Sequence, residues 1–180
     1  MVIYTPTCDI WYDEPHKKDT MSQAPTPIET TRGYAAPSVT QFNIFLANRV
    51  GKLHELGKGF DEHRCRICAM AIHEASDHAV IRIVPNNADE ARKILAEQKL
   101  PYMESNVLIV SMDTGHTLSQ TCEYLLRAEL SIRFAYPVFG SAAGPTAMVL
   151  AVDDLTLGGQ ILMRKEFKLL AEADLPKYGE

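Results

Sequence analysis

The sequence lacks a concentrated block of basic residues. Its 18 Lys and Arg are outnumbered by 23 Asp and Glu, which gives a formal net charge of −5 and a pI near 5.7. Nucleic-acid binding depends on a basic face that neutralises phosphates, so this balance argues against nucleic acid as the main partner. The acidic balance also argues against a β-sheet that binds single-stranded nucleic acid through aromatic side chains.

Long hydrophobic runs are also missing. No apolar stretch reaches the roughly 18–20 residues that span a bilayer, and the N-terminus has neither the basic start nor the apolar centre of a signal peptide. We therefore expect a cytoplasmic protein without a membrane partner. Cysteine is scarce, which favours reduced thiols over a disulfide framework. The four cysteines are Cys8, Cys65, Cys68 and Cys122.

The composition is nevertheless that of a folded domain, because 46% of the 180 residues are hydrophobic. Residues 1–38 differ from the rest of the chain. They contain five of the ten prolines and show neither helical nor strand periodicity. This composition predicts a flexible N-terminal tail.

After the tail, one order of elements occurs twice: strand, helix, strand, strand, helix, strand. In residues 39–105 the predicted elements are a strand from 39, a helix from 53, a hairpin of 65–73 and 78–84, a helix at 88–98 and a strand at 101–105. In residues 106–175 they are a strand at 107–112, a helix at 117–128, a hairpin of 131–139 and 146–152, a helix at 155–165 and a strand at 167–172. The predicted fold is therefore α+β, with two ferredoxin-like βαββαβ repeats and antiparallel sheets.

The turn between the first strand and the first helix is the clearest candidate site. It reads Asn48-Arg49-Val50-Gly51-Lys52-Leu53. Glycine lets a ligand approach the backbone closely, and the free N–H groups of a helix start attract a carboxylate. The side chain of Asn48 offers an oxygen that accepts hydrogen bonds from an ammonium group. The alternative is a tight strand-to-helix turn with no ligand.

The doubled order of elements and this turn resemble the ACT domain, a small regulatory module that binds amino acids. The resemblance extends over residues 39–175, with valine at the place where the family often has proline. It implies amino-acid binding by Asn48, Arg49, Val50, Gly51 and Leu53. In the second repeat it implies the same role for Asp113, Thr114, Gly115, His116 and Leu118, although Gly115 and His116 occupy the usual proline and glycine places.

Other groups of reactive residues give weaker signals. Cys65 and Cys68 form a CxxC pair, but residues three apart on a strand point to opposite faces, so we expect no shared metal ion. His73 and His78 flank a hairpin turn, where polar side chains are ordinary. No nucleophile and base stand at a recognisable spacing. We therefore expect no enzyme activity, no metal site and no cofactor.

The sequence and the resemblance together predict a non-catalytic regulatory protein that binds a small amino acid and forms a homodimer or a larger homo-oligomer. The alternative function is a ligand-free interaction subunit that regulates a metabolic enzyme through its sheet or helix faces.

Overall fold

The first strand shows how the sequence pattern becomes structure. In the computed structural model, which describes residues 36–75, 78–112, 115–139 and 146–179, β1 (Val39–Ala47) buries Phe42, Ile44 and Leu46 on one face. Successive side chains of a strand point to opposite faces, so Gln41 lies on the other face, and it is also fully buried. The first strand is therefore covered on both sides.

The other elements follow the predicted order. They are α1 (Lys52–Glu62), β2 (Ile67–Ala75), β3 (His78–Pro85), α2 (Ala88–Glu97), β4 (Tyr102–Ser111), α3 (Leu118–Leu126), β5 (Ile132–Pro137), β6 (Ala147–Val152), α4 (Leu155–Arg164) and β7 (Leu169–Leu170), with a 3₁₀ turn at Glu172–Asp174. None of the described helices is long and apolar enough to cross a membrane.

The seven described strands form one antiparallel sheet in the order β2-β3-β1-β4-β6-β5, and β7 also pairs with β4. The order β2-β3-β1-β4 and the order β5-β6-β4-β7 are each ferredoxin-like. The predicted fold class of two such repeats is therefore confirmed.

One prediction about the strands is wrong. The segments 101–105 and 107–112 were expected to be separate strands, but they form the single strand β4. Its first part pairs with β1 from Tyr102 to Val107, and its second part pairs with β6 from Leu108 to Ser111. The segment Glu104–Val107 contains neither glycine nor proline, so nothing interrupts the extended backbone. The predicted repeat border at 105/106 falls inside β4.

The sheet curls so that its helix-free face points inward. Helices α1 and α2 cover β1 and β3, and α3 and α4 cover β4 and β6. The opposite faces meet in a third cluster that includes Val39, Val107 and Val149. The outer strands also touch, because Ala69 of β2 forms a bridge with Val138, just after β5. The inward face is thus enclosed between the two repeats.

Helix α4 contains Gly158 and Gly159, and a glycine inside a helix costs about 1 kcal/mol relative to alanine. The structure gives these glycines a packing role, since both are buried. A β-carbon on Gly159 would lie only 2.2 Å from the β-carbon of Ala36, at the described end of the predicted tail. The rest of that tail, residues 1–35, lies outside the described residues. The predicted closing strand at 167–172 is shorter than expected, at Leu169–Leu170.

Candidate functional site

The turn after β1 depends on the backbone freedom of Gly51. This residue precedes α1 with φ of 92° and ψ of −19°, a left-handed conformation that side chains with a β-carbon rarely adopt. A β-carbon there would meet nothing within 4 Å, so space is not the constraint. Glycine is needed at this position for the conformation, and the open space beside it leaves the backbone accessible.

The start of α1 has unpaired backbone donors. The N–H of Lys52 bonds to the carbonyl of Arg49, and the N–H of Glu55 bonds to the carbonyl of Gly51. No described residue accepts a hydrogen bond from the N–H of Val50, Gly51 or Leu53. These donors lie at the positive end of the helix dipole, where a carboxylate is favoured.

The other described helices begin differently. The side chain of Asn87 accepts a hydrogen bond from the N–H of Glu90 at the start of α2, and Asp154 accepts one from Leu157 at the start of α4. Among the four described helices, α1 is the one without a side-chain cap. Its donors are therefore available to a ligand.

A small pocket of about 170 Å³ lies beside this turn. Strand β2 contributes Ile72 and strand β3 contributes Ala79 and Ile81, so the pocket is formed by elements on both sides of the turn. The remaining lining residues are Leu46, Ala47, Asn48, Arg49, Lys52 and Leu53. The structure thus brings Asn48, Arg49 and Leu53 of the predicted set together. Val50 is fully exposed at the rim of the turn.

Glu74 is a further residue of the site, and the sequence did not predict it. Its Oε1 accepts a hydrogen bond of 2.8 Å from Nδ2 of Asn48. No described residue donates to Oδ1 of Asn48, so this oxygen and the Glu74 carboxylate offer two acceptors to an ammonium group. Glu74 had been assigned to a turn, and its position beside Asn48 depends on the pairing of β2 with β3, which places Glu74 opposite Ala79.

The second turn is built differently. Asp113 and Thr114 lie outside the described residues, and Gly115 has φ of 112°. The Thr117 hydroxyl accepts a hydrogen bond from the Gln120 N–H, and Oε1 of Gln120 accepts one from the Thr117 N–H. These two backbone donors at the start of α3 are therefore already paired. The His116 ring packs on Phe167, with ring centroids 4.1 Å apart. Leu118, the first residue of α3, is exposed.

Comparison with known proteins agrees with the doubled fold. A family model described as "ACT domain pair" matches residues 37–178. The chain belongs to the ACT domain pair family. Among curated proteins, none matches the sequence.

Two crystal structures are similar to this ACT domain pair. Protein BT0572 from Bacteroides thetaiotaomicron aligns with a TM-score of 0.69 at 23% identity, over 82% of this chain and 100% of that chain. The ligand-free regulatory subunit of aspartate kinase from Thermus thermophilus aligns with a TM-score of 0.50 at 6% identity, over 72% of this chain and 92% of that chain. At these identities the similarity supports the fold alone.

The CxxC pair of this ACT domain pair is divided by the sheet. Cys65 lies in the cluster beneath α1 and α2, whereas Cys68 lies in the inward cluster. Burial raises the pKa of each thiol to about 11, so both stay protonated near neutral pH. Within the described ranges, no three His, Cys, Asp or Glu residues are grouped closely enough to hold a metal ion.

Proposed function

We propose that this ACT domain pair is a non-catalytic regulatory protein that binds a small amino acid at the turn between β1 and α1. The observation that carries the proposal is the uncapped start of α1 beside a pocket that is lined by Asn48, whose side chain is hydrogen-bonded to Glu74. An amino acid carries one positive and one negative group, and this turn offers partners for both.

The carboxylate of the amino acid would lie against the N–H groups around Gly51. Arg49 lines the same pocket and forms no ion pair with a described residue, so its guanidinium is available to the carboxylate. Lys52 is also present but pairs with Glu55. The ammonium group would meet Oδ1 of Asn48 and the Glu74 carboxylate.

The size of the pocket favours a small side chain. About 170 Å³ is below the roughly 300–1,000 Å³ typical of pockets for drug-sized ligands. The wall that a side chain would meet is apolar, because Leu46, Ala79 and Ile81 line it. We therefore expect a small amino acid, and an apolar or hydroxyl side chain is favoured over a charged one.

A second copy of the chain would complete this site. Val50, Leu53 and Ile72 are large apolar residues with exposed fractions of 107%, 40% and 48%, and Leu53 and Ile72 also line the pocket. Exposed apolar residues grouped around a binding pocket are typical of an interaction surface. A homodimer that buries them would close the pocket over the amino acid.

The regulated partner in this proposal is a metabolic enzyme. One structural neighbour is the regulatory subunit of an aspartate kinase, and we extend that protein's regulatory role to this chain as part of the proposal. The same exposed residues also support the second candidate function, an interaction subunit that binds its enzyme without any amino acid. The two functions differ in whether a free amino acid stabilises the protein.

The proposal is tested by measuring the melting temperature with each of the twenty amino acids. A ligand at one hundred times its dissociation constant adds about 2.7 kcal/mol to the free energy of unfolding. For a chain of this size, that corresponds to a rise of roughly 5–10 °C in melting temperature. A screen in which no amino acid raises it would leave the ligand-free interaction subunit as the function. The mass of the assembly, measured with and without the ligand, tests the homodimer.

Two variants at one position separate backbone strain from charge. Gly51→Ala introduces a β-carbon at φ of 92° and carries the strain alone. Gly51→Asp carries the same strain and adds a carboxylate that competes for the α1 donors. We expect Gly51→Asp to abolish the shift caused by the amino acid and Gly51→Ala to retain part of it. Gly115→Asp, at the corresponding turn of the second repeat, should leave the shift unchanged. A shift undiminished in Gly51→Asp would place binding elsewhere.

A further inference from the structure

Strand β4 changes partners along its length, and its first part is paired on one side alone. Residues 102–107 pair with β1, whereas β6 pairs with β4 only from Leu108 to Ser111. Among the described strands, none pairs with residues 102–106 on the side of β4 that faces β6. Although β4 lies in the middle of the sheet order, its first part therefore has an unpaired strand edge. We call residues 102–106 the free edge.

The backbone groups of the free edge alternate in direction. In an antiparallel pair, the residues whose N–H and C=O groups point toward the partner strand recur at every second position. The N–H of Phe45 donates to the carbonyl of Pro101, so the odd-numbered residues of β4 point toward β1 and the even-numbered ones point to the other side. The backbone N–H and C=O groups of Tyr102 and Glu104 therefore point away from β1, where no described strand pairs with them.

The free edge lacks the proline and lysine residues that often protect a strand edge from pairing. Its sequence is YMESN. The one charged side chain is that of Glu104, whose two carboxylate oxygens accept hydrogen bonds of 2.9 and 2.8 Å from the guanidinium of Arg92. Met103 adds an apolar side chain that is 63% exposed. Another extended segment could therefore approach the free edge without meeting an unpaired charge on it.

A cavity of about 280 Å³ lies at the end of the free edge, which contributes Ser105 and Asn106 to its lining. The other lining residues are Arg133, Phe134, Ala151, Val152, Asp153 and Leu155. The Asp153 carboxylate already accepts two hydrogen bonds from backbone N–H groups, whereas Arg133 is exposed and forms no ion pair with a described residue. The cavity therefore offers an apolar wall and a positive charge without a partner.

We propose that the free edge binds an extended, acidic segment of a partner protein, which adds a strand to the sheet and places an apolar side chain in the cavity. In this mode of recognition, backbone hydrogen bonds supply affinity and pockets for alternate side chains supply specificity. The unpaired backbone groups of Tyr102 and Glu104 supply the hydrogen bonds. The charge of Arg133 favours an acidic segment over a basic one. The proposal does not rest on amino-acid binding, because the cavity shares no lining residue with the turn pocket.

Hydrogen exchange of the full chain, followed by NMR, tests the free edge before any partner is added. The amides of Met103 and Ser105 point toward β1 and should exchange slowly. Those of Tyr102 and Glu104 should exchange at least about tenfold faster. Equal protection at the four positions would overturn the proposal, because the edge would then already be occupied by a second copy or by another part of the chain.

The binding test uses synthetic heptapeptides that are acetylated and amidated at their ends. Threonine alternates with valine, leucine, isoleucine or phenylalanine, and one threonine is replaced by aspartate. We expect at least one peptide of this set to bind saturably in calorimetry and to protect the amides of Tyr102 and Glu104. Methylation of the peptide nitrogens that face the free edge should abolish binding, whereas methylation of the alternate nitrogens should not. Lysine in place of the aspartate should weaken binding at least about tenfold.

Two variants at one position isolate a backbone donor of the free edge. Glu104→Pro and Glu104→Ala both remove the contact with Arg92, but only Glu104→Pro also removes the N–H that faces the peptide. Glu104→Pro should therefore bind the peptide about fivefold more weakly than Glu104→Ala.

A variant of the cavity keeps the test decisive if Glu104→Pro does not fold. Arg133→Ser should remove the preference for the aspartate peptide over the same peptide with asparagine. The proposal is overturned if no peptide of the set binds, if folded Glu104→Pro binds as tightly as Glu104→Ala, or if the preference for aspartate survives in Arg133→Ser.

Discussion

The close contact of α4 with the start of the described chain leads to a quantitative prediction for Gly159→Ala. The added β-carbon would lie 2.2 Å from the β-carbon of Ala36, far inside van der Waals contact. Its next neighbours are side-chain atoms of Leu108 and Leu169 at 3.5 and 3.6 Å, which are ordinary contact distances. The overlap is thus specific to Ala36.

Two opposing terms set the size of the effect. Replacing glycine by alanine inside a helix stabilises the protein by about 1 kcal/mol. Inserting a methyl group into a filled space costs about 1–3 kcal/mol. Gly57 of α1 provides the matched control, because a β-carbon there meets nothing within 4 Å. Gly159→Ala should therefore be about 1–3 kcal/mol less stable than Gly57→Ala, which corresponds to a melting temperature roughly 2–12 °C lower.

Thermal and urea unfolding of the two single variants measure this difference directly. The double variant Ala36→Gly/Gly159→Ala removes the clashing methyl group and should recover most of the loss. Equal melting temperatures for Gly57→Ala and Gly159→Ala would refute the reasoning, because Ala36 would then not pack against α4. A loss that Ala36→Gly leaves uncorrected would place the strain at Leu108 or Leu169 instead.

Two further predictions concern protonation and buried polar contacts. The His63 ring donates to the Gly59 carbonyl and faces the Glu97 carboxylate, and these contacts raise the pKa of His63. A pKa that is higher in the folded protein stabilises the fold at pH values below the pKa of the unfolded chain, near 6.5, and this stabilisation is lost as the pH rises through the pKa of the folded protein. The melting temperature of the wild type should therefore exceed that of His63→Gln by more at about pH 5.5 than at about pH 8.5. Tyr136→Phe leaves Oε1 of Gln41 buried without its donor, so it should lower the free energy of unfolding by about 1–3 kcal/mol in urea titrations, and a loss below about 0.5 kcal/mol would contradict it.

Local patterns in the sequence were sufficient for most of the fold. Alternating apolar residues identified β1, and the helix-forming residues of 88–98 identified α2. The capping residues Thr117 and Gln120 also form a T-x-x-Q pattern in the sequence, which is typical of a capped helix start and argues against free backbone donors at the second turn. The union of two predicted strands in β4 was not legible, because it depends on how the repeats pair.

The candidate site was only partly predictable, because part of it also depends on how the strands pair. Asn48, Arg49 and Leu53 are close in sequence, so the turn itself revealed them. Ile72 lines the pocket and Glu74 lies beside Asn48 because β2 pairs with β3, and no local pattern specifies that pairing. Their contribution became visible only when the strand register was known.

Because the two repeats share strand β4, the effect of an insertion in β4 depends on whether the number of inserted residues is odd or even. Leu108 and Val110 face α3 and α4, while Val107 and Ile109 face inward. Inserting one residue before Val107 would exchange these two sets, and with them the inside and the outside of the whole second repeat. Inserting two residues would restore the faces but displace the second repeat by about 6.6 Å along the strand. Insertions and deletions are therefore tolerated less well in the shared strand β4 than in a loop that joins two domains.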